Sequence, residues 1–462
     1  MSSYDDSARA LVAIRRRMES TFRGARLLPC ECSMTESSAA SRSRRGIRAT
    51  FVSLRTRNFR LFFIGQTVSN TGNWLTNIAL TLLVLSLTDS GSAIGLLAAC
   101  QYGPMLLLSA WAGAVVDRHD KRRFLMVTQV IEMAQSFALA AFAFLDHPPL
   151  IGLYGLAVIG GTALAFDNPL RRSFVSEMVP TEDLANAVVL YSMIVNTSRI
   201  IGPAIAGVLV TTVGYGWAFL LDAVTYFVVI ACLVMMRPDD LFRKPAKDRV
   251  VATVMDGLRY IASAPILWIP FAMLAAIGTL AYNFTVSLPL FVTRALDGSD
   301  SEYTMLYSIF SAGAIVCSLV IASRAMVSLA DIIRGAAILG VTLALLGIMP
   351  NVPMAGLAVF LVGIGGILFM TAATTNFQMN AKSEMHGRVL ALQSAAMIGS
   401  SAIGGPLIGA LFDWWGGRWP MAFSGVVCVL AAMFGAWASR RYMGMPLTSA
   451  LRARPIADPP AS

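Results

Sequence analysis

GAVVDRHDKRR, residues Gly113–Arg123, closes one apolar run and leads into the next within a single short loop. The first run ends at an acid, Asp117. Cations follow at Arg118, Lys121, Arg122 and Arg123, and the chain turns apolar again at Phe124. A loop this short between two long hydrophobic segments is a tight hairpin. Clustered Lys and Arg beside a span stay on the cytoplasmic side, which is where the hairpin is expected. The charges alone would suit a basic stop signal behind any membrane helix. The ordered spacing of Gly113, Asp117, Arg118, Lys121 and Arg122 asks for a more specific reading.

Composition sets the class. Of 462 residues, 56% are hydrophobic and 13% charged, against about 25% charged in a soluble chain. Twelve apolar segments fall near 63–87, 92–116, 124–145, 150–168, 187–211 and 217–236, then 266–292, 303–323, 332–349, 354–377, 389–412 and 420–439. Each is close to the roughly 20 residues that a bilayer-spanning helix requires. An even number of spans puts both termini on one side. If that side is the cytoplasm, it holds all 36 Lys and Arg except Arg294 and Arg418 in outer loops and Arg199 inside span 5. So lopsided a distribution sets the orientation. It also explains the net charge of +10 with a lipid bilayer, not nucleic acid, as the partner.

Residues 1–57 are polar and rich in Arg and Ser, and are expected to form a disordered basic tail. They lack the apolar core of a signal peptide. Asp5, Asp6 and Glu19 argue against a transit peptide, and Met34 offers an alternative start. Beyond the tail, 58–236 and 265–440 are expected as two six-helix bundles. A central cytoplasmic loop, 237–264, joins them and carries an amphipathic helix near 250–261; 441–462 is a cytoplasmic tail. The six cysteines are scattered and form no disulfide framework, and Cys30-x-Cys32 lacks the further ligands of a zinc site. No metal or cofactor is expected.

The two bundles echo each other. Gly202-Pro203-Ala-Ile-Ala-Gly207 in span 5 corresponds to Gly405-Pro406-Leu-Ile-Gly409-Ala410 in span 11, about 203 residues later. Trp217-Ala-Phe219 and Met421-Ala-Phe423 then open spans 6 and 12. Spans 5 and 11 run in the same direction, so the repeat is a parallel one, with a substrate site expected at midplane between the halves.

The hairpin resembles the G-x-x-x-D-[RK]-x-G-[RK]-[RK] loop between helices 2 and 3 of the major facilitator superfamily. Asp120 stands in place of the second Gly, and Asp is one of the few other residues that accept a left-handed turn. The span 5 element resembles the G-x-x-x-G-P-x-x-G-G motif of drug–proton antiporters, with Ser198 and Ala206 replacing two glycines. Phe166-Asp167-Asn168-Pro169, Val179-Pro180, Asn196-x-x-Arg199, Gln378 and His386-Gly387-Arg388 together look like the bacterial branch of enterobactin exporters and macrolide efflux pumps. The resemblance covers about residues 55–440. It implies an all-α membrane protein with the major facilitator fold, twelve transmembrane helices, and proton-driven export of small amphipathic compounds by a monomer in the inner or plasma membrane. An uptake carrier for a metabolite or lipid is the alternative within the class; a non-transporting sensor or scaffold is the alternative outside it.

Candidate pathway residues follow from helical spacing. In span 1, Gln66, Asn70, Asn73, Asn77 and Thr81 recur at steps of four, three, four and four, so they share a face. Amides are costly against lipid, so that face meets helices or water. Asn283 in span 7, with Thr279 and Ser287, and Asn196 in span 5 extend the set. Arg199 is the one basic residue placed deep in a span, and Glu132 in span 3 is its expected partner. At 1.5 Å per residue they lie about 18 and 12 Å from the cytoplasmic ends. Such a carboxylate suits proton coupling or a permanent ion pair. Asp222 and Asp413 are expected near the outer interface. No G-x-x-x-x-G-K-[ST], H-E-x-x-H or G-x-S-x-G occurs, so the sequence points neither to ATP as direct energy source nor to a hydrolase.

Overall fold

The computed structural model describes residues 51–242, 254–322, 328–382 and 385–444, without the side chains of Ala110, Ala114, Asp117, Val254 and Ala322. The expectations for residues 1–50, for the C-terminal tail from 445 and for the centre of the interbundle loop lie outside the described residues. The helices are α1 Arg57–Thr88, α2 Gly91–Arg118, α3 Lys121–Ala143, α4 Leu150–Met178, α5 Leu184–Thr212 and α6 Tyr215–Met235. They continue as α7 Val254–Ser263, α8 Pro265–Leu280, α9 Phe284–Ala295, α10 Asp300–Ala322, α11 Leu329–Ile348, α12 Val352–Asn380, α13 His386–Trp415 and α14 Trp419–Met443. The apolar runs become helices because a segment in lipid must satisfy its own backbone N–H and C=O groups.

These helices supply twelve spans, the seventh being split into α8 and α9. Eleven spans among the described residues are long and apolar enough to cross a membrane; α1 falls short of that hydropathy because it carries the amide stripe. The short amphipathic α7 lies where the loop helix was expected. Within the stretch expected as tail, residues 52–55 make a 3-10 turn. There the Ser53 backbone N donates to Asn186 Oδ1 at 3.2 Å, and its hydroxyl donates to the Asp183 carbonyl at 3.1 Å.

The packing repeats after six spans. In the first half α1 packs on α5 and α6, α2 on α4, and α3 on α4 and α6. In the second, α8 packs on α13 and α14, α10 on α12, and α11 on α12 and α14. The same partners recur at the same offset, as a parallel repeat demands. The turns repeat too: Gly214 (φ 92°) links α5 to α6 and Gly416 (φ 77°) links α13 to α14, both in the region that favours glycine.

The hairpin itself is built differently from the expectation. Asp120 is not left-handed; it has φ −63° and ψ 109° and caps α3, its carboxylate accepting from the Arg123 backbone N at 3.0 Å. A cap replaces the glycine turn because the first amides of α3 need an acceptor. Lys121 pairs with Glu177 at the end of α4. Arg122 donates to the Leu233 and Val234 carbonyls at 2.7 and 3.0 Å, closing the C-terminus of α6. The loop thus ties three helix ends together.

The halves meet along α2–α13 and α5–α10. The α2–α13 seam is tight at the end away from the hairpin. A Cβ on Gly409 would sit 2.1 Å from the Gly91 carbonyl, and one on Gly95 would sit 2.6 Å from the Gly405 carbonyl. On α5, a Cβ on Gly207 would lie 2.1 Å from Thr304 Oγ1 of α10. The seam loosens toward the hairpin end, where a Cβ on Gly113 or Gly387 would meet nothing within 4 Å. Both Gly-Pro elements therefore serve the junction between halves, and both Pro203 and Pro406 lie inside continuous helices.

Candidate functional site

A cavity of about 390 Å³ lies among the helices and takes Asn70, Asn73 and Asn77 of α1 into its wall. Their spacing on α1 turns these three amides to one side, as the helical period requires. The other two members of the stripe do something else. Gln66 is buried and accepts from Asn70 Nδ2 at 3.1 Å, and Thr81 donates to the Asn77 carbonyl at 2.9 Å. Asn283 does not line the cavity: it donates to the Gly278 and Thr279 carbonyls at 3.1 and 2.9 Å, capping the break between α8 and α9. Asn196 lines a narrow cleft between α5 and α10 and donates to the Ser192 carbonyl.

One wall of the cavity carries Glu132, Arg171, Arg172 and Asp222, with Asp167 buried beside Arg171. Glu132 of α3, Asp167 and Arg171 of α4, and Asp222 of α6 are all at most 3% exposed. Arg171 Nε pairs with Asp167 one turn earlier, and its Nη2 lies 3.6 Å from Glu132 Oε2. Gln129 Nε2 bridges the two acids, at 3.1 Å to Glu132 and 2.9 Å to Asp167, and Thr128 donates to Asp167 at 3.2 Å. Asp222 accepts from Thr76 of α1 at 2.7 Å and Ser136 of α3 at 2.8 Å. Glu132 Oε1 has no hydrogen-bond partner among the described residues. Glu132 and Asp167 thus share the Arg171 guanidinium while Asp222 is met by hydroxyls, so the buried cluster has a surplus of two negative charges if all three carboxyls are ionised. Burying such a surplus is expensive.

This corrects two expectations. The partner of Glu132 is Arg171, not Arg199. Helix α4 continues ten residues past the point where its apolar run stops, through Pro169, and so carries Arg171 into the bundle interior. Asp222 is not interfacial but fully buried beside α1 and α3. A sequence signal did exist, since Asp167 and Arg171 stand one helical turn apart.

Arg199 sits elsewhere, half-buried between the halves, with its guanidinium carbon 5.3 Å from the centre of the Trp74 ring. Gly202 makes that possible: a Cβ there would lie 2.5 Å from Trp74 Cβ. Around Arg199 is a second chamber of about 130 Å³, which shares Trp74, Tyr102, Met397 and Ser401 with the larger cavity. Asp413 is at neither. It joins α13 to the start of α2, accepting from the Gly91 and Ser92 backbone N at 2.7 and 2.8 Å, and it pairs with Arg294 of α9 at 2.9 Å.

Twelve spans in two repeated halves around a polar, charge-lined cavity define a polytopic membrane transporter of small molecules. The chain belongs to the transmembrane secretion effector family of the major facilitator superfamily, whose family model matches residues 48–450. It is 28% identical over 354 residues to the staphyloferrin A transporter of Staphylococcus aureus, covering 72% of this chain and 84% of that one. It is 25% identical to the multidrug efflux pump Tap of Mycolicibacterium fortuitum (76% and 88% covered) and 23% identical to the enterobactin exporter EntS of Shigella boydii (76% and 85%). Among solved structures, a bacterial homologue of the human lysosomal transporter Spinster superposes with a TM-score of 0.67 at 15% identity, over 84% of this chain and 98% of that one. This likeness carries the fold alone.

Proposed function

We propose that the chain is a proton-coupled exporter of small amphipathic compounds, of the siderophore or drug type, in the plasma membrane. The single observation that carries this reading is the surplus of buried carboxyls over buried guanidinium in the cluster beside the cavity. A proton entering the cluster removes a charge that the low-dielectric interior disfavours, and a cluster spread over α1, α3, α4 and α6 responds as a unit. The relatives named for export of siderophores and drugs support the direction and the substrate class. With the hairpin end in the cytoplasm, as the positive-inside distribution asks, the tight seam at the other end makes this the inward-facing state. Asn70, Asn73, Asn77, Glu132 and Arg199 then line or border the pathway.

The test is substrate-induced proton movement in proteoliposomes. Glu132→Gln and Asp222→Asn should each allow downhill movement of substrate while losing accumulation driven by a pH gradient, by at least tenfold. Wild-type coupling in both variants, correctly folded, would sink the proposal. In the hairpin, Asp117→Asn should impair transport while leaving membrane insertion intact, because the motif acts on the switch between states. Normal transport by a well-expressed Asp117→Asn protein would remove the hairpin from the mechanism.

A further inference from the structure

We propose that Arg199 and the aromatic chamber around it form the seat for the carboxylate of an amphipathic, aromatic organic anion. The inference rests on the exporter reading above and names the charge of what is exported. The first observation is a contrast between the two deep cations. Arg171 is held by two carboxylates. Arg199 forms no ion pair among the described residues; its guanidinium lies over the Trp74 ring and is hydrogen-bonded to the Tyr282 and Tyr307 hydroxyls. A charge kept unpaired inside a membrane protein marks a ligand pathway.

The second observation is the lining. The chamber is walled by Trp74 of α1, Tyr102 of α2, Tyr282 at the break between α8 and α9, Tyr307 and Phe310 of α10, and Ser400 of α13. The walls come from both halves, so a molecule seated there touches both. Guanidinium offers a planar fork that matches a carboxylate, and phenol and serine hydroxyls add further donors. The ring faces suit an aromatic body. No carboxylate among the described residues lines this chamber; Glu132 and Asp222 line the larger cavity that continues from it. The small chamber therefore presents positive charge without a described carboxylate, an anion seat between the halves, whereas the larger cavity carries Glu132 and Asp222 together with Arg171 and Arg172. A cationic amphiphile would meet Arg199 unfavourably at this seat.

The full-length protein in nanodiscs decides the matter with three probes of nearly the same shape: naphthalene-1-acetate, its neutral amide and naphthalen-1-ylmethylammonium. The wild type should bind the acetate at least tenfold more tightly than the amide, and the ammonium more weakly than either. In Arg199→Gln the acetate-to-amide ratio should fall below threefold with amide affinity retained, and Arg199→Lys should recover part of it. A folded Arg199→Gln that keeps the tenfold ratio overturns the proposal. If Arg199→Gln does not fold, the wild-type ratio decides alone, and equal affinity for acetate and amide overturns it as well. The outcome is separable from the exporter reading. Anion preference without proton movement would sink only the coupling, whereas proton-coupled export of a cationic dye without anion preference would sink only this seat.

Discussion

Arg171→Gln should be the most damaging single side-chain change in the first half. Arg171 is 3% exposed and is the only cation within ion-pair distance of Glu132 and Asp167 among the described residues. Removing one partner of a buried ion pair costs about 3–5 kcal/mol, because the other is left uncompensated. Here two carboxylates lose their partner at once. The expected result is poor recovery from the membrane, with unfolding of the purified protein lowered on the order of 5 °C or more. Arg171→Lys should restore part of the stability, since it returns the charge without the fork that reaches both acids. The triple change Arg171→Gln, Glu132→Gln and Asp167→Asn should recover folding and still lack proton-driven accumulation. Thermal unfolding followed by fluorescence-detected size exclusion reads the first effect and proteoliposome flux the second. An Arg171→Gln protein with wild-type thermal stability and full coupling would show that the cluster needs no counter-charge.

Gly409→Leu should hold the molecule open at the end away from the hairpin. An added Cβ would lie 2.1 Å from the Gly91 carbonyl oxygen and 2.7 Å from its carbon. Both are backbone atoms, so no side chain can swing away, and α2 and α13 must separate by more than about 1 Å to regain ordinary contact. That separation also stretches the bonds from Gly91 and Ser92 to Asp413, at 2.7 and 2.8 Å, and the bond from Arg294 to the Asp89 carbonyl. Hydrogen bonds to charged groups contribute about 1.5–3 kcal/mol each, less for this partly exposed carboxylate. Losing about 2.7 kcal/mol of seam energy shifts a two-state population about 100-fold. Transport should fall to a comparable extent, since alternating access needs both states. A cysteine replacing the buried Ala98 would report the change: protected from a membrane-impermeant thiol reagent in the parent, labelled in the Gly409→Leu protein. Unchanged protection together with unchanged transport would mean that the seam does not gate the cavity.

Much of the architecture was legible in the residues alone. Segment length and the exclusion of charge set the spans, because lipid admits only segments that satisfy their own backbone. The Gly202-Pro203 and Gly405-Pro406 elements exposed the repeat. The step of three or four residues put Asn70, Asn73 and Asn77 on one side of α1, since helical period determines which residues share a face. It does not determine which neighbour that face meets. Asn283 looked like a pathway residue by the same period, and the break between α8 and α9 claimed its amide for capping. Only the tertiary structure decided that Glu132 meets Arg171 and not Arg199. Depth along a helix is countable from the sequence, whereas partner choice depends on how α3, α4 and α6 pack side by side. It also carried Arg171 inward by extending α4 beyond its apolar run, moved Asp222 from the interface to the cluster, and left Arg199 on Trp74 with no carboxylate. A buried charge takes whichever opposite charge or ring the packing sets beside it, and that packing is fixed by close approaches such as Gly202 on Trp74 and Gly91 on Gly409, which no spacing along one chain reveals.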